Sequence, residues 1–323
     1  MILREEMIDC ESWYHLADYH YTGENDDLPV GIIHCDLGNI PNCFVDIAKH
    51  PERKYVVISS RSDFGLHYQA NYPPWQDYGK MALCAVGPDE SKGGYADVLL
   101  PAPINKDRCA PWHTYSIKCY RYTEATFPSI PGNVVKWFVT NNAVSDDSRI
   151  VSIPFGINGV DGSREAGDKI VDRINKMNWY GDRGEELYIN FAFYTDVRYR
   201  LYQLYAKDSF AKCEQNKPYD EFLDQLMIHN CVLCPPGNGW DCYRNLEAIY
   251  MGCIPIVENN TAMRVYADMK MPCVFVSSLE MISSAVLKEI RASWLNHRDL
   301  WDLTKAKLSY WKGLIEQGRN LLL

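Results

Sequence analysis

The chain has 323 residues, of which 47% are hydrophobic and 23% charged, as in soluble globular proteins large enough for two domains. Its 33 basic and 42 acidic residues give a net charge of −9, which argues against a nucleic-acid partner. The first twenty residues lack the apolar core of a signal peptide, and no apolar run approaches the roughly 20 residues of a membrane span. We therefore expect a cytoplasmic protein whose twelve cysteines stay reduced.

The first half of the sequence alternates apolar runs with an amphipathic segment. The pattern predicts strands at residues 29–36 and 54–60, with a helix at 42–50 between them. Two further strands are predicted at 134–140 and 150–157. This order is typical of a parallel sheet with helices on its faces, and ligands of such sheets gather at the carboxyl ends of the strands.

Polar side chains stand at those predicted strand ends. Asp36 follows the first strand, and Asp63 and His67 follow the second in SSRSDFGLH. Each has an ordinary alternative role: a helix cap for Asp36, an Asx turn for Asp63, and a packed or surface side chain for His67. Asn141 and Asn142 follow the strand at 134–140, where turn formation is the alternative to ligand binding.

The second half of the sequence repeats the alternation after a glycine-rich stretch at 156–167, which we take as the domain boundary. A helix is predicted at 168–178 and a strand at 186–193. The next helix carries Arg198 and Arg200 near its start, where an arginine can face a phosphate, although basic residues in helices are usually solvated. Of the two, Arg200 is the stronger candidate.

Residues 231–260, CVLCPPGNGWDCYRNLEAIYMGCIPIVENN, are the most informative stretch. They predict a buried strand, a Pro/Gly turn, a helix running to Met251 and a second strand. Asp241 is the predicted N-cap of the helix. The glycine turn at 237–239 offers positions for positive φ, and Pro255 predicts an irregular or edge strand.

This strand–turn–helix unit predicts a site for a phosphate or diphosphate, because unpaired N–H groups and the positive end of a helix meet there. Arg244 and Glu247 are three residues apart and share one helix face. The arginine can clamp a diphosphate, and the glutamate can accept hydrogen bonds from two ribose hydroxyls. A solvated ion pair is the ordinary alternative, but the neighbouring turn favours a nucleotide-sugar site.

A zinc site is the other interpretation of this stretch, since Cys231 and Cys234 form a CxxC with Cys242 and Cys253 nearby. Residues three apart on a strand point to opposite faces, and neither later cysteine has a CxxC partner. We therefore expect small buried thiols and no metal.

At PPGNGWDCYRNLEAIYMGCIPIV the sequence resembles the exostosin-like glycosyltransferases. The family pattern is a Pro-x-Gly turn, an Arg and a Glu on the next helix, and a Gly-Cys-x-Pro strand entry. The matching positions here are 236–239, Arg244, Glu247, Gly252, Cys253 and Pro255. Weaker likenesses, KWFVTNN with SIPFGI and INFAFYTDVRYR, extend it upstream to Lys136. Without a signal anchor, the chain looks most like compact members encoded by large algal viruses, which would place it in the host cytosol, or by bacteria.

The resemblance implies an α/β fold of the GT-B type, with two Rossmann-like parallel-sheet domains facing across a cleft. The acceptor domain would span 1–160, the nucleotide-sugar domain 161–298, and a C-terminal helix at 299–323 would pack across both. It also implies an inverting transfer from a UDP-sugar, preferably UDP-xylose, to a hydroxyl of a glycan or glycoprotein acceptor. The sequence has no Asp-x-Asp motif, so we expect a reaction without a divalent metal or other cofactor.

A transfer of this kind needs a base for the acceptor hydroxyl, and the strand-end positions make Asp63, then His67 and Asp36, the candidates. Asn141 and Asn142 are candidates for acceptor binding. The donor-binding candidates are Pro236, Gly237, Asn238, Gly239, Arg244, Glu247, Arg200 and Arg198.

Two other functions fit the same motifs. One is a GT-B-like hydrolase or phosphorylase of a nucleotide-sugar, and the other is a non-catalytic sugar-binding protein. The intact Arg244 and Glu247 argue against the second.

Overall fold

Two large sheets with helices on their faces make up the computed structural model. The structure describes residues 3–60, 65–68, 81–83, 88–89, 94–95, 119–122, 129–142, 147–158, 164–177, 183–193, 196–237, 239–259, 262–297 and 303–322.

The elements of the first half of the chain are mostly strands. They are β1 (Tyr19–Tyr21), β2 (Gly31–Cys35), α1 (Ile40–Ala48), β3 (Tyr55–Ser59), β4 (Gly65–Tyr68), β5 (Met81–Leu83), β6 (Pro88–Asp89), β7 (Gly94–Tyr95), β8 (Cys119–Tyr122), β9 (Val134–Thr140) and β10 (Ile150–Ile153). The first sheet has the order β1-β2-β3-β9-β10, and every pair in it is parallel. Strands β2 and β3 are buried along their whole length, which explains their unbroken apolar runs.

The second half of the chain alternates helices and strands. They are α2 (Arg164–Ile174), β11 (Gly184–Asn190), α3 (Asp196–Tyr205), β12 (Ala211–Glu214), α4 (Tyr219–Ile228), β13 (His229–Leu233), α5 (Tyr243–Tyr250), β14 (Ile254–Glu258), α6 (Arg264–Asp268), β15 (Val274–Val276), α7 (Ser284–His297) and α8 (Leu308–Asn320). The second sheet has the order β12-β11-β13-β14-β15-β5. Its first five strands are parallel, and β5 is antiparallel to β15.

The predicted fold class is confirmed, because two sets of five parallel strands with helices form an α/β fold consistent with two Rossmann-like units. One strand departs from the predicted division of the chain: β5 comes from the first half and closes an edge of the second sheet. The edge-strand interpretation of Pro255 is wrong, since β14 lies between β13 and β15. A proline there removes a single N–H from the ladder, and the remaining residues keep the strand in place.

Two helices differ from their predicted bounds. The helix expected at 168–178 begins a turn earlier, as α2. The last helix, expected to begin at residue 299, begins at Leu308 after a short 3₁₀ turn at Leu303–Ala306. No helix among the described residues has both the length and the apolar character that crossing a bilayer requires.

The two ends of the chain meet between the sheets. The backbone N–H of Ile8 donates to the Tyr250 hydroxyl at 3.0 Å, and Asp9 forms a parallel bridge with Ile157. The indole rings of Trp13 and Trp311 contact edge to face, with centroids 5.7 Å apart. Helix α8 therefore lies against the N-terminal segment and the first sheet, although it is last in the sequence.

Candidate functional site

A cavity of about 290 Å³ opens at the carboxyl ends of the strands of the second sheet. The chain leaves β11 for β12 on one side and returns to β13 on the other, so the cavity lies at the topological switch point, where open α/β sheets bind ligands. We call it the switch-point cavity. Its lining residues are Asn158, Asn190, Phe191, Ala192, Arg198, Asn216, Lys217, Tyr219, Phe222, Cys242, Tyr243, Arg244 and Glu247.

Two arginines bring positive charge into the switch-point cavity. Arg198 is buried, and its guanidinium donates to the carbonyls of Pro236 at 3.0 Å and Ala192 at 3.4 Å. Arg244 has no carboxylate within salt-bridge distance among the described residues, and its buried Nε has no acceptor there. Both guanidiniums lie over the Phe191 ring, 5.8 and 5.6 Å from its centroid. Two neighbouring cations, one of which has no salt-bridge partner among the described residues, favour an anionic ligand.

Arg200 lies elsewhere, although the sequence favoured it over Arg198. Its guanidinium forms an ion pair with Glu280 at 2.9 Å, and it does not line the cavity. The reason is helical geometry: residues two apart on α3 point in different directions.

Gly237 serves the site in a different way from the one predicted. Its φ is not positive, so the predicted left-handed turn is wrong at this position. A Cβ there would instead lie 2.9 Å from Nη2 of Arg198, so the missing side chain makes room for the guanidinium. The Gly237 N–H bonds the carbonyl of Gly239 at 2.9 Å, whereas Asn238 lies outside the described residues.

If the cavity holds the UDP-sugar that the resemblance implies, Gly237→Ala should weaken UDP binding about tenfold. The new methyl group displaces the Arg198 guanidinium, and each 1.4 kcal/mol lost is a factor of ten. Titration calorimetry measures the effect. Gly132→Ala is the matched control, since a Cβ at Gly132 meets nothing within 4 Å. Equal UDP affinity in both variants would contradict this role of Gly237.

Glu247 lies on the floor of the cavity and is 4% exposed. Its Oε1 accepts hydrogen bonds from the Tyr219 hydroxyl at 3.1 Å and from the backbone N–H of Asn158 at 3.3 Å. Burial raises the pKa of the carboxyl, while the Asn158 N–H, the charge of Arg244 and the Tyr219 hydroxyl pull it down. Among the described residues no donor contacts Oε2, so this oxygen is available to a ligand.

Asp241 is not the helix cap that the sequence predicts. Helix α5 has Cys242 at its N-cap, and the Asp241 side chain is buried with 2% exposure. It accepts hydrogen bonds at 2.8 Å from Asn245, from the Tyr266 hydroxyl and from the backbone N–H of Phe155. Burial raises the pKa of Asp241 to about 6 even though these hydrogen bonds oppose the shift. The side chain thus ties the segment after β10 to α5 and α6.

Asn141 and Asn142 lie beside this contact and outside the switch-point cavity. The Asp241 N–H donates to Oδ1 of Asn141 at 2.6 Å, and Asn141 has a φ of 53°, which fits the turn alternative. Asn142 donates to the Ser152 hydroxyl at 3.0 Å. Their role toward an acceptor remains a prediction.

The structure describes the side chain of only one of the three candidate bases. Asp36 is exposed after β2 and precedes a 3₁₀ turn without capping it through its side chain. Asp63 lies outside the described residues. His67 is on β4, in register with Arg121, but its side chain is outside the described part of the chain.

The CxxC cysteines pack into different places. Cys231 belongs to the core cluster on one side of the second sheet and Cys234 to the cluster on the other, because three residues along a strand reverse the direction of the side chain. Within the described ranges, no group of three or more His, Cys, Asp or Glu side chains could hold a metal ion.

Of the residues that line the cavity, the sequence identified only Arg198, Arg244 and Glu247, and it missed three that contact these charged side chains. Phe191 lies just past β11, Tyr219 opens α4, and Asn158 follows the first sheet. Phe191 carries a recognisable signal, since it follows the last residue of a buried strand at a sheet edge where ligands bind. Tyr219 and Asn158 reach Glu247 from distant parts of the chain, and nothing local marks them.

Residues 192–300 match the family model described as the RXYLT1 C-terminal domain, of an exostosin-like xylosyltransferase family. No curated protein sequence matches the chain at a significant level. The matched segment contains Arg198, Arg244 and Glu247, so it includes the charged residues of the switch-point cavity. This match supports a glycosyltransferase family.

Proposed function

We propose that the protein transfers a sugar from a UDP-sugar, held in the switch-point cavity, to a hydroxyl of a glycan acceptor. The observation that carries this proposal is the position of Arg244: it stands in the first turn of α5, lacks a carboxylate partner among the described residues, and faces the cavity one turn before Glu247. The family match of residues 192–300 points to the same class of reaction.

In this proposal the diphosphate lies between Arg244, Arg198 and the N-terminus of α5. Unpaired N–H groups and the positive end of the helix add to the two guanidiniums, a combination that suits a dianionic group. Glu247 accepts hydrogen bonds from the ribose through Oε2. In this proposal the anomeric carbon of the sugar lies at the mouth of the cavity, on the side of the first sheet.

The reaction is a single in-line displacement. The acceptor oxygen forms a bond to the anomeric carbon while the bond from that carbon to the diphosphate oxygen breaks, so the configuration inverts and UDP leaves. The proton of the acceptor passes to a base from the strand-end loops of the first sheet, with Asp63 first, then His67 and Asp36. The two arginines and α5 stabilise the charge of the departing UDP in place of a divalent metal.

Xylose is the proposed sugar, because the matching model belongs to a xylosyltransferase-type family. A pentose lacks the exocyclic C6 hydroxymethyl group of a hexose, so it needs less room beside the diphosphate. UDP-xylose is therefore the first donor to test.

A thermal-shift screen of nucleotide-sugars tests the proposal. A donor present at 100 times its Kd adds about 2.7 kcal/mol to the stability of the folded state, so UDP-xylose should raise Tm clearly, with or without EDTA. Product analysis with and without a glycan acceptor then separates transfer from hydrolysis. No stabilisation by any UDP-sugar would contradict the proposal, and release of free sugar with no acceptor product would replace transfer by hydrolysis.

A further inference from the structure

The Glu247 carboxylate is held from one side. Both hydrogen bonds that it accepts from described residues end on Oε1, at 3.1 Å from Tyr219 and 3.3 Å from Asn158. A glutamate side chain otherwise rotates about three bonds, and fixing it on ligand binding costs conformational entropy. Here the protein has fixed it before a ligand arrives.

The two groups that hold Glu247 come from outside its own helix. Tyr219 opens α4, and Asn158 belongs to the segment that follows β10. That segment is itself anchored, because the Phe155 ring stacks on Tyr243 with centroids 5.0 Å apart and an interplanar angle of 25°. Two other segments of the chain therefore hold the carboxylate through Oε1, and Oε2 has no donor among the described residues.

We propose that Tyr219 is a positioning residue that sets the selectivity of the cavity for ribonucleotides over 2′-deoxyribonucleotides, by orienting Oε2 of Glu247 toward the ribose hydroxyls. This inference rests on the proposed UDP-sugar function. A carboxylate oxygen has two lone pairs, so Oε2 can accept from both neighbouring hydroxyls of a ribose. A 2′-deoxyribose offers one hydroxyl fewer and loses a hydrogen bond to a charged group.

A purely structural role for the Tyr219 hydroxyl is the alternative. Its loss would then lower the stability of the folded protein and reduce the affinity for every ligand by the same factor. The two roles differ in one measurable quantity, the ratio of the affinities for UDP and 2′-deoxy-UDP.

Titration calorimetry with these two ligands tests the inference. We expect the wild-type protein to bind UDP about tenfold more tightly than 2′-deoxy-UDP, since a hydrogen bond to a charged group contributes roughly 1.5–3 kcal/mol. In Tyr219→Phe the affinity for UDP should fall about five- to tenfold while that for 2′-deoxy-UDP changes less, so the ratio approaches one.

Tyr188→Phe is the matched control. The Tyr188 hydroxyl also donates to a carboxylate, Glu214 at 3.1 Å, but it does not contact Glu247 or line the cavity. This variant should keep the wild-type ratio, and thermal melting checks that both variants are folded.

Three results would overturn the inference, and each has a different consequence for the proposed UDP-sugar function. A Tyr219→Phe variant that keeps the wild-type ratio overturns the role of Tyr219. A wild-type protein that binds both ligands equally overturns ribose selectivity, while the UDP-sugar function stands. A wild-type protein that does not bind UDP overturns the proposed function, and the inference falls with it.

Discussion

Replacing Arg244 by alanine is expected to weaken UDP binding by about 100-fold or more, because removing one partner of a buried charge pair costs roughly 2–5 kcal/mol. No carboxylate lies within salt-bridge distance of Arg244 among the described residues, so its guanidinium is available to the diphosphate. Titration calorimetry with UDP measures the loss. Glu247→Ala should also lower the affinity, because it removes the acceptor for the ribose.

Arg200→Ala is the control for this experiment. Arg200 also belongs to the second half of the chain and carries the same charge, but it pairs with Glu280 outside the cavity. Its loss should leave UDP affinity within about twofold of the wild-type value, since long-range charge effects at the surface are screened by salt. If Arg244→Ala and Glu247→Ala both bound UDP as tightly as the wild type, the donor site would lie elsewhere.

The largest expected effect on stability is that of Asp241→Ala, which should lower the free energy of unfolding by about 3–5 kcal/mol. The variant leaves three buried donors, Asn245, Tyr266 and the N–H of Phe155, without their acceptor. Urea denaturation at pH 7 measures the loss. Asp147→Ala serves as the control, since Asp147 pairs with Arg149 at a partly exposed site and should contribute less than about 1 kcal/mol.

The loss caused by Asp241→Ala should depend on pH. The pKa of Asp241 is about 6 in the folded protein, above the ordinary value of 3.8, so the folded state binds a proton more tightly than the unfolded state does. This contribution to stability is fully present below pH 3.8 and is lost as the pH rises through 6. The difference in the free energy of unfolding between wild type and variant should therefore be larger at pH 4.5 than at pH 7, by on the order of 2 kcal/mol. A constant difference across this range would show that Asp241 is not the titrating group.

Much of the fold follows from the sequence because five central strands, β2, β3, β13, β14 and β15, are buried along their whole length. Such strands leave apolar runs, and β9 has the bounds that the pattern predicts. Strand β12 was missed because its residues are only half-buried and the run is short. Strand β5 pairs with β15, nearly two hundred residues later, and no local pattern encodes that contact.

The same contrast between local patterns and long-range contacts applies to the residues of the site. Arg244 and Glu247 were found because they lie three residues apart on one helix, so a local spacing brings them together. The cap prediction for Asp241 is wrong for a physical reason. An aspartate before a helix is a good cap, but the same carboxylate is taken by Asn245 one turn later and by two distant donors, Tyr266 and the N–H of Phe155. Choosing Arg198 over Arg200 requires the rotation of α3 relative to the cavity, which the sequence does not specify.

The contact between Trp13 and Trp311 has a consequence for how the protein holds together. It closes a loop that contains almost the whole chain. The entropic cost of closing a loop grows slowly, by about 0.6 kcal/mol of free energy for each doubling of the loop length. Because Ile8 bonds Tyr250 and α8 contacts β3, the same junction supplies contacts to both sheets. Neither sheet keeps all of its tertiary contacts when the other unfolds, so we expect the two halves to unfold as one cooperative unit. The walls of the switch-point cavity, which come from both halves, share that cooperativity.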